Sequence, residues 1–155
     1  PHPMVWLGVD LGNARVRLAL SDPGLTLAHP AGNVQVNGDS FFALDAVIGV
    51  IEDENVDHVV VGLPLQMDGT EGRSAKKARR WTDNLKKRMS ALLDDGQFAL
   101  TAVPAVTLVD ERLTTVSAHR LLHDAQIGGR QHRSVVDQQA AVVILQTALD
   151  SRENR

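Results

Sequence analysis

The run VWLGVD, Val5 to Asp10, is followed by Gly12-Asn13 and then by RVRLAL, Arg15 to Leu20. This order constrains the fold more than any other stretch. The first run is short and apolar and reads as a buried strand. Gly12-Asn13 is a turn signal. Arg15 to Leu20 alternates polar and apolar residues, the pattern of a half-buried strand. So short a connection makes an antiparallel hairpin. Ser21-Asp22-Pro23-Gly24 is a second turn, and Leu25 to Ala28 is expected to begin a third strand. Then the period changes. Phe41, Leu44, Val47, Ile48 and Ile51 recur at helical spacing. His58 to Pro64 reads as a buried strand, the loop QMDGTEG follows, and Ser74 to about Leu93 reads as a long helix. Ala105 to Glu111 is another buried strand. Thr115 to about Ile127 is a helix stopped by Gly128-Gly129. Val135 to about Leu149 is the last helix, with Ser134 as its N-cap. The order βββαβαβαα implies an α/β fold: a mixed central sheet, three antiparallel strands and then parallel ones, flanked by helices. No linker or repeat interrupts it, so residues 1–155 are expected to form one domain.

The remaining bulk features mostly exclude. Apolar residues make up 43% and charged residues 23%, ordinary for a soluble globular chain. No apolar run approaches the roughly 20 residues of a membrane span, and no signal-peptide layout opens the chain. There are no cysteines, which removes thiolate, disulfide and Cys-zinc chemistry. A cytoplasmic location is expected. The net charge of −3 argues against a broad nucleic-acid-coating surface but leaves room for a local basic patch.

Acids at element ends carry the chemistry. Asp10 ends the first strand, Asp110 and Glu111 end the last, and Asp137 falls in the first turn of the last helix. Ligands of open α/β sheets sit outside the carboxyl ends of strands. If the first and last strands are neighbours, their carboxylates share one edge, and a helix starting nearby brings Asp137 to it. Carboxylates so gathered repel unless protonated or sharing cations. Hard oxygen donors suit Mg²⁺ or Mn²⁺, and two such ions clamp an in-line phosphoryl displacement. Each acid also has a plain structural reading. Asp10 can cap its own turn, Asp110 and Glu111 can pair with Arg112, and Asp137 completes a Ser134-x-x-Asp137 capping box.

The segments GVDLGNARVRLALSD, VVVGLPLQMDGTEG, VDERLTT and VDQQAAVVILQ, in that order, closely resemble the YqgF/RuvX family. That family belongs to the RNase H-like superfamily. Its members are described as Holliday-junction resolvases and as nucleases for the 5′ end of pre-16S ribosomal RNA. The resemblance runs from about Val5 to Leu149. It implies an RNase H-like fold, a divalent metal and an acidic site in which Asp10, Asp137 and one of Asp110 and Glu111, preferably Glu111, are catalytic and hold the metal. One position departs from the pattern. Where the family usually reads R-x-G in the second strand, this chain has Arg15-Val16-Arg17. Either the surface offered to substrate has changed there, or Arg17 faces solvent.

Basic residues follow two groupings. In RSAKKARRWTDNLKKRM, helical geometry puts Ala78, Trp81, Leu85, Met89 and Leu92 on one face and Lys76, Lys77, Arg80 and Lys87 on the other, joined by Arg73 if the helix starts that early. The charged face is either simply solvated or a phosphate contact. Trp81 reads as core. Arg130, His132 and Arg133 lie in the expected loop GGRQHR before Asp137. With Arg15 and Arg112, the expected nucleic-acid contacts are Lys76, Arg80, Arg130 and Arg133. The glycine-containing loop QMDGTEG is expected to move on substrate binding. His119 and His123 are four apart on one expected helix, without the H-E-x-x-H pattern of a zinc site.

The main expectation is a metal-dependent endonuclease acting on a structured RNA precursor or a four-way DNA junction. A junction is two-fold symmetric, so its resolution would call for a homodimer. Two other classes compete. One is a non-catalytic RNA-binding factor in ribosome assembly. The other is an ATP-binding module, because actin-like and Hsp70-like ATPases also open on a D-x-G hairpin. Against the latter, the chain has no Walker A pattern and no second D-x-G at matching spacing.

Overall fold

The computed structural model describes residues 4–113 and 130–153, with side chains over 4–112 and 140–152. Five strands form one sheet: β1 (Trp6–Leu11), β2 (Arg15–Ser21), β3 (Ala28–Gln35), β4 (His58–Leu63) and β5 (Ala105–Asp110). Among the described residues three α-helices accompany them: α1 (Leu44–Asp53), α2 (Arg73–Asp94) and α3 (Arg130–Glu153). The strand order is β3-β2-β1-β4-β5. β1, β2 and β3 pair antiparallel, while β1–β4 and β4–β5 pair parallel. The expected mixed sheet is therefore present. The first and last strands are not neighbours, however: β4 lies between them.

The sheet has two dissimilar faces. Alternate residues of a strand point to opposite sides. Leu7 and Val9 of β1 and Val59 and Val61 of β4 join Val47, Ile48 and Ile51 of α1 and Trp81, Leu85 and Met89 of α2 in the larger core. Trp6 of β1, Ala19 of β2 and Val60 of β4 pack instead with Ala141, Ile144, Leu145 and Leu149 of α3. Trp81 is fully buried, its indole Nε1 donating to the Ser40 carbonyl at 2.9 Å, so it is core as expected.

Two glycines set how closely α3 lies on the sheet. A Cβ on Gly8 would stand 2.7 Å from Leu145 Cβ and 2.9 Å from the Ala141 carbonyl oxygen. One on Gly62 would stand 2.6 Å from Ile144 Cδ1. The missing side chains let the helix settle onto β1 and β4.

Several boundaries differ from expectation. The third strand begins at Ala28, not Leu25, because Asp22 holds the preceding turn. Its carboxylate accepts from the backbone N–H of Thr26 and Leu27 and from the Thr26 hydroxyl, at 2.7–2.8 Å. Leu25 takes a left-handed φ of 59°. A 3₁₀ turn, Ser40–Ala43, precedes α1 with Asp39 accepting from the Phe41 N–H. α3 starts at Arg130, so Ser134 lies within the helix and is not its N-cap, and Arg130 to Arg133 form its first turn rather than a loop. The expected Thr115–Ile127 helix, with His119 and His123, lies outside the described residues. No helix among those described is long and apolar enough to cross a membrane.

Candidate active site

Asp10 and Glu111 both line one cleft of about 530 Å³, although two strand spacings separate their elements. The faces explain it. Asp10 lies on the same side of β1 as Gly8 and Trp6, the α3 side. On β5, Leu108 packs toward the larger core and Val109 toward the α3 core. Alternation then turns Asp110 away from the α3 face and Glu111 toward it. Glu111 opens a 3₁₀ turn, Glu111–Leu113, just past the strand.

Gly62 of β4 fills the interval. It follows Val61 as Asp10 follows Val9 in the paired register. A Cβ on it would lie 2.8 Å from Glu111 Oε1. The Glu111 carboxylate thus occupies the space a side chain on the intervening strand would take. Asp10 and Glu111 are only 3% and 4% exposed. Buried carboxylates are costly unless paired or coordinating a cation.

Basic groups rim this pair. Arg17, directly opposite Asp10 in the β1–β2 register, places Nη1 3.8 Å from Asp10 Oδ2. It is 9% exposed. The reading in which it faces solvent is wrong: it shares the inward face with Ala19 and is held over the hairpin, where a Cβ on Gly12 would stand 3.0 Å from its Nη1. Arg15 also lines the cleft, and its Nε is buried without a hydrogen-bond partner among the described residues. Ser74 and Lys77 reach it from the start of α2.

The other expected residues whose side chains are described sit elsewhere. Asp110 is engaged by Arg112, whose Nη2 donates to Oδ2 at 2.7 Å and whose backbone N–H donates to Oδ1 at 2.9 Å. This guanidinium holds the Asp110 carboxyl below its ordinary value. Arg112 also donates to the Met67 carbonyl at 3.5 Å, tying down the loop that contains Gly69. It is a structural strut in this conformation, not a group in the cleft. Lys76 and Arg80 are exposed and do not line the cleft. Asp137, Arg130 and Arg133 lie on α3, but their side chains fall outside those described. His58 starts β4, at the far end from the acids; burial pushes its pKa down, and its Nε2 lies 2.8 Å from Thr107 Oγ1.

Two contributors escaped the sequence reading. Lys77 was visible on the basic face of α2, but nothing in its spacing separated it from Lys76 and Arg80. Gly62 carried a signal, a glycine closing an apolar strand, without indicating what would occupy its space.

As a metal site the donors fit in kind. Two buried carboxylates offer hard oxygens in one cleft, the chemistry of Mg²⁺ or Mn²⁺. Among the described residues no group of three His, Asp or Glu side chains forms a complete cage.

The sheet order, α3 on one face and the acid pair at the strand ends define an RNase H-like α/β protein. Thermus thermophilus RuvC, solved in complex with a Holliday junction substrate, superimposes with a TM-score of 0.54 at 16% identity, covering 97% of this chain and 96% of that one. That likeness concerns the fold. The chain belongs to the RuvX family, whose model, described as "Holliday junction resolvase", matches residues 4–151. A Bifidobacterium adolescentis relative named "Putative pre-16S rRNA nuclease" is 70% identical over 151 residues, 97% of this chain and 100% of that protein. One of the same name from Frankia casuarinae is 41% identical over 148 residues, 96% of this chain and 67% of that protein.

Proposed function

We propose that this chain is a divalent-metal-dependent nuclease that hydrolyses phosphodiester bonds, with the 5′ precursor region of 16S ribosomal RNA as its substrate. The observation that carries this reading is the convergence of Asp10 and Glu111 across Gly62, in a cleft rimmed by Arg15, Arg17, Ser74 and Lys77. Relatives 70% identical over nearly the whole chain bear the corresponding name. A four-way DNA junction is the second candidate, favoured by the family description; it would require a homodimer presenting two clefts. Action on ribosomal RNA places the protein in the cytoplasm.

Asp10 and Glu111 would hold Mg²⁺ or Mn²⁺ through their carboxylate oxygens, with Asp137 as a third donor. Asp137 stands one helical turn before Ala141, whose carbonyl lies over Gly8, two residues ahead of Asp10. Asp110 is left out of the ligand set because Arg112 engages it. A bound divalent ion supplies charge to offset the scissile phosphate and lowers the pKa of an attacking water. Arg15 and Lys77 bind and orient the phosphate backbone, and the buried Arg15 Nε gains in phosphate a partner of matching chemistry. Arg130 and Arg133, on the first turn of α3, extend the same role along the strand.

The test incubates the protein with a four-way DNA junction and with RNA spanning the 16S precursor boundary, each with Mg²⁺, Mn²⁺ or EDTA, beside Asp10→Asn. Metal-dependent cleavage of the RNA, lost in Asp10→Asn, is the expected result. Cleavage of the junction alone would transfer the proposal to that substrate. Cleavage of neither would leave a binding factor in place of a nuclease.

A further inference from the structure

A cation already stands at the Asp10 carboxylate. Arg17 Nη1 is 3.8 Å from Asp10 Oδ2, and both residues are more than nine-tenths buried. The placement is built in. Asp10 and Arg17 are a directly opposed pair on neighbouring strands, and such pairs keep their side chains within reach of each other. The distance exceeds the roughly 2.7–3.2 Å of a direct hydrogen bond. The two groups are therefore in charge contact without the short forked geometry of a committed Arg–carboxylate pair. Arg112 and Asp110 provide the contrast at the end of β5, with Nε donating to both carboxylate oxygens at 3.1 Å and Nη2 to Oδ2 at 2.7 Å. One arginine locks its acid; the other rests against it.

A divalent ion at Asp10 and a guanidinium within 4 Å of the same oxygen repel each other. Both cannot hold that position at full strength in a buried site, where like charges are poorly screened. The guanidinium has somewhere to go. It already lines the cleft with Arg15 and Lys77, where a phosphate would lie.

We propose that Arg17 is a resident counter-cation of Asp10 that a divalent ion must displace, so that metal binds this chain more weakly than its carboxylates alone would allow. The inference rests on the metal reading given above. Arg17 is then a positioning residue for the metal, acting through Asp10, and its displacement hands a guanidinium to the phosphate side of the cleft.

The test is Mn²⁺ titration of the intact protein by calorimetry, without substrate, for wild type, Arg17→Gln and Arg17→Met. The methionine variant keeps an apolar stem in the same space, in case the amide does not fold there; a cooperative melt confirms each fold. Removing the charge should tighten Mn²⁺ binding by roughly 5- to 150-fold, the usual range of coupling between two bound groups. The gain should vanish in the Asp10→Asn/Arg17→Gln double variant, which places it at Asp10. Equal or weaker Mn²⁺ binding by both folded Arg17 variants, with measurable binding by wild type, would overturn the competition and leave the metal site standing. No Mn²⁺ binding by any of them would remove the metal reading and the competition with it.

Discussion

Gly62→Ala tests whether the site depends on a missing side chain. Its Cβ would appear 2.8 Å from Glu111 Oε1 and 2.6 Å from Ile144 Cδ1. Ordinary contact begins at 3.4 Å, so the carboxylate must retreat by about 0.6 Å if the backbone stays fixed. The Ile144 methyl is the end of a flexible side chain and can rotate aside. Overpacking of this kind costs about 1–3 kcal/mol, and replacing glycine in a strand returns about 0.5–1 kcal/mol. The net loss of stability should be about 0–2.5 kcal/mol, small enough for the fold to persist. Function should suffer more. Displacement of a reacting group by about 1 Å costs on the order of 100-fold in rate, so a shift of this size should lower cleavage by about 10- to 100-fold. Urea unfolding measures the first quantity; Mn²⁺ titration and single-turnover cleavage measure the second. A folded Gly62→Ala protein with wild-type Mn²⁺ affinity and cleavage rate would refute the argument, because Glu111 would then not need the space above β4.

Gly8→Ala probes the same helix without touching the acids. Its new methyl meets Leu145 Cβ and a backbone carbonyl, neither of which can rotate away, so α3 must shift, and the urea midpoint should fall by the equivalent of about 2–3 kcal/mol; an unchanged midpoint would show that α3 is not seated on that glycine. Asp22 gives a pH signature. Its carboxyl pKa is lowered to about 2, chiefly by the Leu27 backbone N–H and then by the Thr26 hydroxyl, both favouring the ionised form. A pKa lowered by folding means stability that is complete above the ordinary value of 3.8 and lost as pH falls through about 2. Asp22→Ala should therefore melt below wild type at pH 6, with the gap closing between about pH 4 and pH 2; a gap that stayed constant over that range would assign the loss to something other than the charge.

The elements and the acids were legible in the sequence to different depths. The hairpin was plain because Gly12-Asn13 separates two strands of clear pattern. The sides of β1 and α2 followed from period, which is why Trp81 was recognised as core. Parity failed at Asp110-Glu111, because a strand end does not announce where pleating stops. The answer came from Leu108 and Val109, whose opposite packing orients the two acids. Sequence also could not order the strands. Neighbouring β1 and β5 would have joined the acids directly; the structure inserts β4 and joins them by omitting a side chain at Gly62. Arg17 was the least legible residue. In an alternating strand a charge is expected to face water, and here it faces inward because Asp10 lies opposite.

These placements together determine what the α3 face can do. Over most of its length the face is apolar, built on Trp6, Ala19, Val60, Ile144 and Leu145, and α3 presses close because Gly8 and Gly62 allow it. Carboxylates beside such packing lose much of their hydration, which costs several kcal/mol per ion in a protein interior. Asp10 has Arg17 to offset part of that loss, and Glu111 takes the room that Gly62 leaves. The cleft therefore sets two buried carboxylates among the basic groups of Arg15, Arg17 and Lys77. A divalent ion that binds these carboxylates only when the fold brings them together stabilises the native state by mass action. The same reasoning separates the two arginines near the acids. Arg112 neutralises Asp110 on the opposite face through short bonds and fixes a loop, so removing it should loosen structure. Arg17 neutralises Asp10 loosely on the α3 face, so removing it should leave a site more receptive to a metal ion than the native one.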